Sequence, residues 1–230
     1  MPCVRRRGRH RYDMRGGPLR VLVLDFDGVI LESNDVKTEA FRDVFARFPE
    51  HCETMMAYHR AHVSASRFAK FDHLLERLGH PGDAVLRAEL AADFSRRTIK
   101  RMASVPFVAG AEAFLREVTP RLPVYLASVT PEEDLETILE QRGLHAWFRD
   151  VYGCPPWTKS GAVRDVLRRE ACAPHDALLL GDSAGDQHAA TETGVEFVAR
   201  HSGLPFDDPA PRTLFPDLAA VAAYLRDRLP

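Results

Sequence analysis

The sequence predicts an α/β fold, in which a parallel sheet with helices on both faces carries a small all-helical domain. Short runs that are apolar at every position are typical of strands buried on both faces of such a sheet. Helical patterns separate these runs, and that alternation favours a Rossmann-like arrangement. About 100 residues lie between the first and second runs, far more than one crossover helix requires. The excess indicates an inserted helical domain.

Four strands are predicted from the apolar runs, at 21–24, 123–127, 177–180 and 195–198. The spacing of apolar residues predicts helices over 35–48, 52–62, 66–78, 83–103, 131–142, 160–171, 184–193 and 217–228. The helix over 131–142 has the clearest boundaries. Thr130 is its expected N-cap, with Pro131 at the first helical position and Glu133 completing a capping box, and Gly143 is its expected end.

Three segments follow from these elements. Residues 19–32 and 106–230 are predicted to form the core that contains the sheet, and residues 33–105 the inserted helical domain. Residues 1–18 are predicted to be a disordered, Arg-rich extension, because such a composition cannot form a packed core. A tail for nucleic acid or a membrane surface is the alternative, and Met14 is a candidate start if the extension is not native.

Composition excludes several classes of protein. The net charge is −2 although seven arginines lie in the first 20 residues, so the rest of the chain is acidic and a broad nucleic-acid surface is not expected. No apolar run reaches the length of a membrane span or follows the basic start as in a signal peptide. The four cysteines lie far apart, which disfavours a disulfide framework or zinc site. A cytoplasmic location is therefore expected, while nothing indicates an oligomeric state.

Four carboxylates follow two of the predicted strands. Asp25 and Asp27 follow the first strand, and Asp182 and Asp186 follow the third. Because ligands bind beyond the carboxyl ends of parallel strands, these acids are expected to meet at one edge of the sheet. Clustered carboxylates repel one another unless a cation lies between them, and oxygen ligands suit Mg²⁺. The sequence therefore predicts a magnesium site.

The same residues predict phosphoryl chemistry. A carboxylate such as Asp25 is able to attack phosphorus and form an aspartyl-phosphate. Asp27 would lie on the same side of the strand and act as general acid and base, while Gly28 allows a sharp turn. Ser128, after the second strand, and Lys159 are the candidates for binding and neutralising the phosphoryl oxygens.

In this order the motifs resemble those of the haloacid dehalogenase (HAD) superfamily. The resemblance rests on Asp25-Phe26-Asp27-Gly28-Val29-Ile30, Ser128, Lys159 and the stretch 181–186, and it covers about residues 20–228. The helical insert resembles the C1 cap of the phosphoglycolate phosphatase and β-phosphoglucomutase branch. The resemblance implies an HAD-like core.

The resemblance also implies roles for individual residues. It makes Asp25 the nucleophile and a magnesium ligand, and gives Asp27 a metal contact through its backbone carbonyl. Asp182 would bind the metal, with Asp186 assisting directly or through water. Ser128 would bind the phosphoryl group and Lys159 would neutralise it. Apart from the resemblance, the expected substrate contacts are Gly28, Val129 and Thr130 beside the acids, with Arg67 and Lys70 in the helical insert. Arg67 and Lys70 are three residues apart and could share a helix face, and basic residues there would suit an anionic or hydroxylated substrate.

One position departs from the family pattern. Val129 stands where many relatives have glycine, and it would be strained if that position required a positive φ. The departure bears on the shape of the loop more than on the chemistry.

The predicted function is a Mg²⁺-dependent phosphatase that acts on a small phosphorylated metabolite, such as a phosphosugar or phosphoglycolate. A phosphomutase of the β-phosphoglucomutase type and a non-catalytic binding protein on the same fold are the alternatives. Asp27 disfavours a dehalogenase, since cleavage of a carbon–halogen bond needs no leaving-group proton. The motifs of nicotinamide-dependent enzymes and P-loop hydrolases are missing from the sequence. No nucleic-acid or membrane partner is expected.

Overall fold

The computed structural model describes residues 18–63 and 65–230, so the predicted Arg-rich extension lies outside the described residues except for Pro18. In those ranges the chain forms six strands and nine α-helices. In chain order these are β1 (Val21–Leu24), α1 (Asn34–Phe45), α2 (Pro49–Ala61), α3 (Arg67–Arg77), α4 (Ala84–Met102), α5 (Ala111–Val118), β2 (Val124–Ala127), α6 (Glu132–Arg142), β3 (Asp150–Tyr152), α7 (Lys159–Arg169), β4 (Ala177–Gly181), α8 (Ala184–Thr193), β5 (Glu196–Arg200), β6 (Leu214–Phe215) and α9 (Leu218–Leu225).

The strands form one parallel sheet in the order β3-β2-β1-β4-β5-β6. β1 lies between β2 and β4, and its last residue, Leu24, is in register with Leu126 on one side and Leu180 on the other. The chain therefore adds β2 and β3 on one side of β1 and then β4, β5 and β6 on the other side. A crevice opens beyond the carboxyl ends of the strands where the direction changes, and this is where ligands bind in such sheets.

Alternation along β1 shows how the sheet is buried on both faces. Leu22 and Leu24 belong to the hydrophobic cluster formed with α5, α6 and α9. Val21 and Val23 belong to a second cluster, formed with α7 and α8. All four side chains are fully buried, as expected for a strand with helices on both faces. The predicted α/β fold is confirmed.

Helices α1–α4, called here the helical insert, pack mainly on one another. They share a third hydrophobic cluster whose aromatic centre is formed by Phe41, Phe45, Phe71 and Phe94. The Phe41 and Phe94 rings lie 4.2 Å apart between centroids. Among the described residues, no helix combines the length and the apolar character that a membrane span requires. The predicted boundaries of the core and cap remain a prediction.

Three elements were not predicted from the sequence. β6 has two residues and β3 has three, too few for a period-2 pattern to be recognised. α5 carries Ala111, Phe114, Leu115 and Val118 on one face, a spacing that would have predicted a helix.

The predicted capping box at α6 is wrong. Pro131 is the N-cap and no side chain caps the helix. The hydroxyl of Thr130 instead donates to Asp27, so a tertiary contact outweighs the local one. Gly143 ends the helix with a left-handed φ of 64°, as predicted.

Candidate active site

The predicted acids meet beyond the carboxyl ends of β1 and β4. Asp25 directly follows β1, Asp182 directly follows β4, and Asp186 lies in the first turn of α8. One carboxylate oxygen of each lies within 4.8 Å of the others, and all three residues are buried. Asp25, Asp182 and Asp27 also line one cavity of about 70 Å³. The order of strands in the sheet therefore brings together residues that are up to 161 positions apart in the sequence, counting from Asp25 to Asp186.

Burial and mutual repulsion dominate the electrostatics of this cluster. Burial, followed by the charge of Asp186, raises the pKa of Asp25 well above its usual value. The same two causes raise the pKa of Asp182 to about 6. Asp25 Oδ1 is buried and has no hydrogen-bond partner among the described residues. A divalent cation would satisfy this oxygen and relieve the repulsion, so the donor set fits Mg²⁺.

Lys159 supplies positive charge to the cluster. It is the first residue of α7, and the side chain of Thr158 caps that helix by accepting from the Gly161 N–H. The Nζ of Lys159 lies 2.8 Å from Asp25 Oδ2 and also contacts Asp186. Burial alone would lower the pKa of Lys159, but the charges of Asp186 and Asp25 outweigh it and raise that pKa above its usual value. Lys159 is therefore charged at neutral pH.

Asp27 is bound by three side chains. Ser33 Oγ donates to Asp27 Oδ1 at 2.6 Å, while Thr130 Oγ1 donates to Oδ2 at 3.2 Å and Lys37 Nζ contacts Oδ2. Burial would raise the pKa of Asp27, but the charge and hydrogen bond of Lys37 and the hydrogen bond of Ser33 hold it below its usual value. Asp27 is therefore a carboxylate in this arrangement.

Substitution of Lys37 is expected to destabilise the protein. Lys37→Met leaves the buried carboxylate of Asp27 without its counter-charge. Because the Lys37 side chain is 16% exposed, the expected loss in the free energy of unfolding is about 2 kcal/mol, between the values for an exposed and a fully buried pair. Since Lys37 lowers the pKa of Asp27, the loss is present above the ordinary aspartate value of 3.8 and disappears at lower pH. Urea unfolding in EDTA at several pH values measures it.

The matched control is Lys100→Met, which removes an exposed lysine of α4. The double variant Lys37→Met/Asp27→Asn should recover most of the loss, because no buried charge is left unpaired. Equal stability of Lys37→Met and Lys100→Met at neutral pH would contradict the assignment.

The turn after Asp27 requires glycine. Gly28 has a φ of +69°, and a Cβ there would lie 1.9 Å from Asp182 Oδ2. The carbonyl oxygen of Gly28 accepts from Arg200 Nη1 at 3.2 Å, and Arg200 also pairs with Glu32 at 2.6 Å. The end of β5 thus fixes the loop that carries Asp27.

The loop after β2 is not strained. Among the described residues, Ala171 is the one non-glycine residue with a positive φ, so Val129 does not require the conformation that glycine would favour. Ser128 is buried and its Oγ accepts from the Thr130 N–H at 3.1 Å. Val129 lines the cavity of about 70 Å³ together with the acids.

The start of α1 supplies site residues that the sequence did not indicate. Asn34 Nδ2 donates to Asp182 Oδ2 at 2.8 Å, while Ser33 and Lys37 bind Asp27. Ser33 and Lys37 are four residues apart and so share a helix face. A polar helix face directly after the stretch 25–30 is the signal that could have identified Ser33 and Lys37 from the sequence.

The predicted substrate residues Arg67 and Lys70 lie on α3 and line an adjoining cavity of about 260 Å³. The Arg67 guanidinium donates to Ser95 Oγ at 2.6 Å and pairs with Asp134 of α6. Lys70 Nζ donates to the Val63 carbonyl at 3.2 Å. Arg67 therefore joins the helical insert to α6, which packs on the sheet. Lys70 has no carboxylate partner among the described residues.

Comparison with known proteins identifies a family. A family model described as haloacid dehalogenase-like hydrolase matches residues 22–200. No curated protein matches the sequence at a significant level.

Several solved structures share the fold. CbbY from Rhodobacter sphaeroides, in complex with phosphate, is 16% identical with a TM-score of 0.72, over 90% of this chain and 99% of that one. A predicted phosphoglycolate phosphatase from Haemophilus somnus 129PT is 12% identical with a TM-score of 0.72, over 89% and 97%. YfnB from Bacillus subtilis, bound to magnesium, is 17% identical with a TM-score of 0.65, over 91% and 99%. At these identities the likeness establishes the fold.

Proposed function

The chain belongs to the family of haloacid dehalogenase-like hydrolases, and on this basis we propose that it is a Mg²⁺-dependent phosphatase of a small phosphorylated metabolite. The observation that carries the proposal is the environment of Asp25. Its Oδ1 is buried and unpartnered, while its Oδ2 is bound by Lys159. One oxygen is thus left available for reaction or metal binding, while the lysine orients the carboxylate.

In the proposed reaction, a carboxylate oxygen of Asp25 attacks phosphorus, and the bond from phosphorus to the ester oxygen breaks. Lys159 and the Ser128 hydroxyl hold the phosphoryl oxygens as their negative charge develops. The resulting aspartyl-phosphate is then hydrolysed by water, which returns Asp25 and releases phosphate.

Asp27 is proposed to move the protons. In the first step its carboxylic acid gives a proton to the departing oxygen, and in the second its carboxylate takes one from water. The contacts with Lys37 and Ser33 favour the carboxylate. The present arrangement therefore supports the second step, while the first requires Asp27 to be protonated.

The acids supply the proposed metal site. The carboxylates of Asp25, Asp182 and Asp186 and the backbone carbonyl of Asp27 would hold Mg²⁺, which would supply positive charge to offset the charge of the phosphoryl group. The binding of phosphate by CbbY and of magnesium by YfnB supports this proposal.

The helical insert is proposed to act as a cap, with residues 33–105 as its extent. Two contacts support this role: Lys37 reaches Asp27, and Arg67 of α3 pairs with Asp134 of α6. Both contacts join the insert to the part of the chain that carries the acids. The insert therefore covers the cavity in which the proposed chemistry takes place, and it would limit access of water.

A direct test compares p-nitrophenyl phosphate and glucose 1-phosphate as substrates, with Mg²⁺ and with EDTA. We expect free phosphate from p-nitrophenyl phosphate with Mg²⁺ alone. Conversion of glucose 1-phosphate to an isomeric sugar phosphate would favour a mutase. No turnover of either ester, or of a wider set of phosphorylated metabolites, would favour a binding protein and contradict the proposal.

A further inference from the structure

The cavity of about 260 Å³ adjoins the cavity that contains the acids. The two share the lining residues Asn34, Lys37, Val63, Val129 and Leu204. A phosphate ester whose phosphoryl group lies beside Asp25 would therefore extend its leaving group into the larger cavity. That volume lies near the lower limit for small-molecule sites, which suits a leaving group of a few carbons.

Lys70 is a buried cation in the wall of this cavity. It is 2% exposed. Its Nζ has the Val63 carbonyl at 3.2 Å and the Phe41 ring at 4.8 Å, and no carboxylate pairs with it among the described residues. Burial, followed by the charge of Lys37, lowers the pKa of Lys70 to about 7. A carbonyl and an aromatic ring compensate a buried ammonium only in part.

The other cations of the cavity are already neutralised. Lys37 is paired with Asp27, and Arg67 with Asp134. Asp35, an exposed acid that also lines the cavity, forms no ion pair with Lys70. Of the lysines and arginines that line this cavity in the described part of the chain, Lys70 is thus the one without an acid.

His59 gives an independent sign that the wall receives a polar ligand. Its side chain lines the same cavity, is buried, and leaves Nδ1 without a hydrogen-bond partner among the described residues. Burial, followed by the charges of Lys70 and Arg60, lowers the pKa of His59 to about 4, so the ring is neutral at pH 7. Its Nε2 lies 3.1 Å from the hydroxyl of Thr38. The Thr38 hydroxyl donates to the Asn34 carbonyl, so Nε2–H of the neutral ring donates to Thr38 and Nδ1 is a free acceptor. A hydroxyl or N–H of a bound molecule would satisfy Nδ1, while an anionic group of the same molecule would satisfy the Lys70 ammonium.

From these contacts we infer that the leaving group of the substrate carries a second anionic group, a carboxylate or a second phosphate, which Lys70 binds. The inference rests on the proposed function, since it concerns the substrate of the same site. It assigns Lys70 to substrate specificity and gives it no part in the bond-breaking steps. The preferred substrate is accordingly a small phosphate monoester with a second negative charge.

The test uses three esters with one carbon skeleton and the full chain in Mg²⁺. Glycerol 3-phosphate has no second anion, 3-phosphoglycerate has a carboxylate, and glycerol 1,3-bisphosphate has a second phosphate. We expect kcat/KM for at least one anionic ester to exceed that for glycerol 3-phosphate by about 10- to 100-fold, the range expected for a hydrogen bond to a charged group. Which anionic ester is preferred distinguishes a carboxylate from a phosphate.

Lys70→Met should lower the ratio of kcat/KM for the preferred anionic ester to kcat/KM for glycerol 3-phosphate by about the same factor. The change should come mainly from KM for the anionic ester, since the variant loses binding of the second anion. Lys70→Arg, which keeps the charge, should retain part of the preference. Lys100→Met is the matched control, because it removes an exposed lysine of α4, and its ratio should equal that of the wild type.

The outcomes distinguish failure of this inference from failure of the proposed function on which it rests. Hydrolysis of all three esters at similar kcat/KM by the wild type overturns the inference alone, and this comparison needs no variant to fold. An unchanged ratio in folded Lys70→Met also overturns it. Failure to hydrolyse these esters and p-nitrophenyl phosphate overturns the proposed function itself, and the inference with it.

Discussion

Asp25→Asn is expected to lower kcat for phosphate esters by about 10⁴-fold or more, because an amide cannot replace the attacking carboxylate. The fold should be retained, since asparagine has the same shape as aspartate. Burial and the charge of Asp186 raise the pKa of Asp25, so the ionised carboxylate is disfavoured in the folded protein. The amide removes that charge, and the melting temperature in EDTA at neutral pH should therefore not fall.

Two measurements test this expectation. Phosphate release from p-nitrophenyl phosphate gives kcat, and mass spectrometry after acid quenching detects a phosphoryl group on the peptide that contains Asp25. Hydroxylamine should remove that group from the wild-type protein, as expected for an acyl phosphate. Asp208→Asn, at an exposed position, is the matched control and should keep wild-type activity.

Activity in Asp25→Asn above about a tenth of the wild-type value would contradict the assignment of the nucleophile. A labelled peptide from another part of the chain would point to a different nucleophile. Either result would leave the fold and the family unaffected.

The sheet and the convergence of the acids were accessible from the sequence for a shared physical reason. A strand buried on both faces has to be apolar throughout, so β1 and β4 are visible as continuous apolar runs. The residues that follow such runs leave the sheet at its carboxyl edge. The positions of Asp25 and Asp182 could therefore be predicted without knowing the order of the strands.

The contacts made by the helical insert were not accessible in this way. Lys37 reaches Asp27, and Arg67 reaches Asp134, which is 67 positions away in sequence. Such pairs depend on how α1 and α3 lie over the sheet, and no local pattern records that placement. The prediction that Thr130 caps α6 was wrong for a related reason, because its hydroxyl binds Asp27, a residue 103 positions away.

These contacts connect the insert to the chemistry. Both Lys37 and Asn34 lie in α1, and their partners are Asp27 and Asp182. A movement of the insert away from the sheet would break both contacts together and expose the acids. The insert and the proposed catalytic carboxylates thus belong to one network of hydrogen bonds.

Mg²⁺ is expected to stabilise the protein as well as to activate it. At a concentration about 100-fold above its Kd, it should add about 2.7 kcal/mol to the free energy of unfolding and raise the melting temperature by about 5–10 °C. EDTA should abolish phosphate release, and added Mg²⁺ should restore it. The stabilisation follows from the repulsion among Asp25, Asp182 and Asp186, which a divalent cation relieves. The activation follows from the positive charge that the metal would supply to the phosphoryl group.

The sign of the pH dependence follows from Asp182. Its pKa is raised to about 6 in the folded protein, from an ordinary value of 3.8. A raised carboxyl pKa means that the folded state binds more protons than the unfolded state, so stability in EDTA should fall as the pH rises from about 4 to about 6. Stabilisation by Mg²⁺ should grow over the same range, because protons compete less with the metal.

Asp182→Asn separates the two contributions. The variant should lose most of the rise in melting temperature with Mg²⁺, because one ligand is neutral, and should lose part of the pH-dependent destabilisation in EDTA, because a buried charge has been removed. Thermal unfolding between pH 4 and pH 8, with Mg²⁺ and with EDTA, measures both, and Asp208→Asn is again the control. If Asp182→Asn kept the wild-type response to Mg²⁺, Asp182 would not be a ligand and the metal would have to bind away from the cluster of Asp25, Asp182 and Asp186.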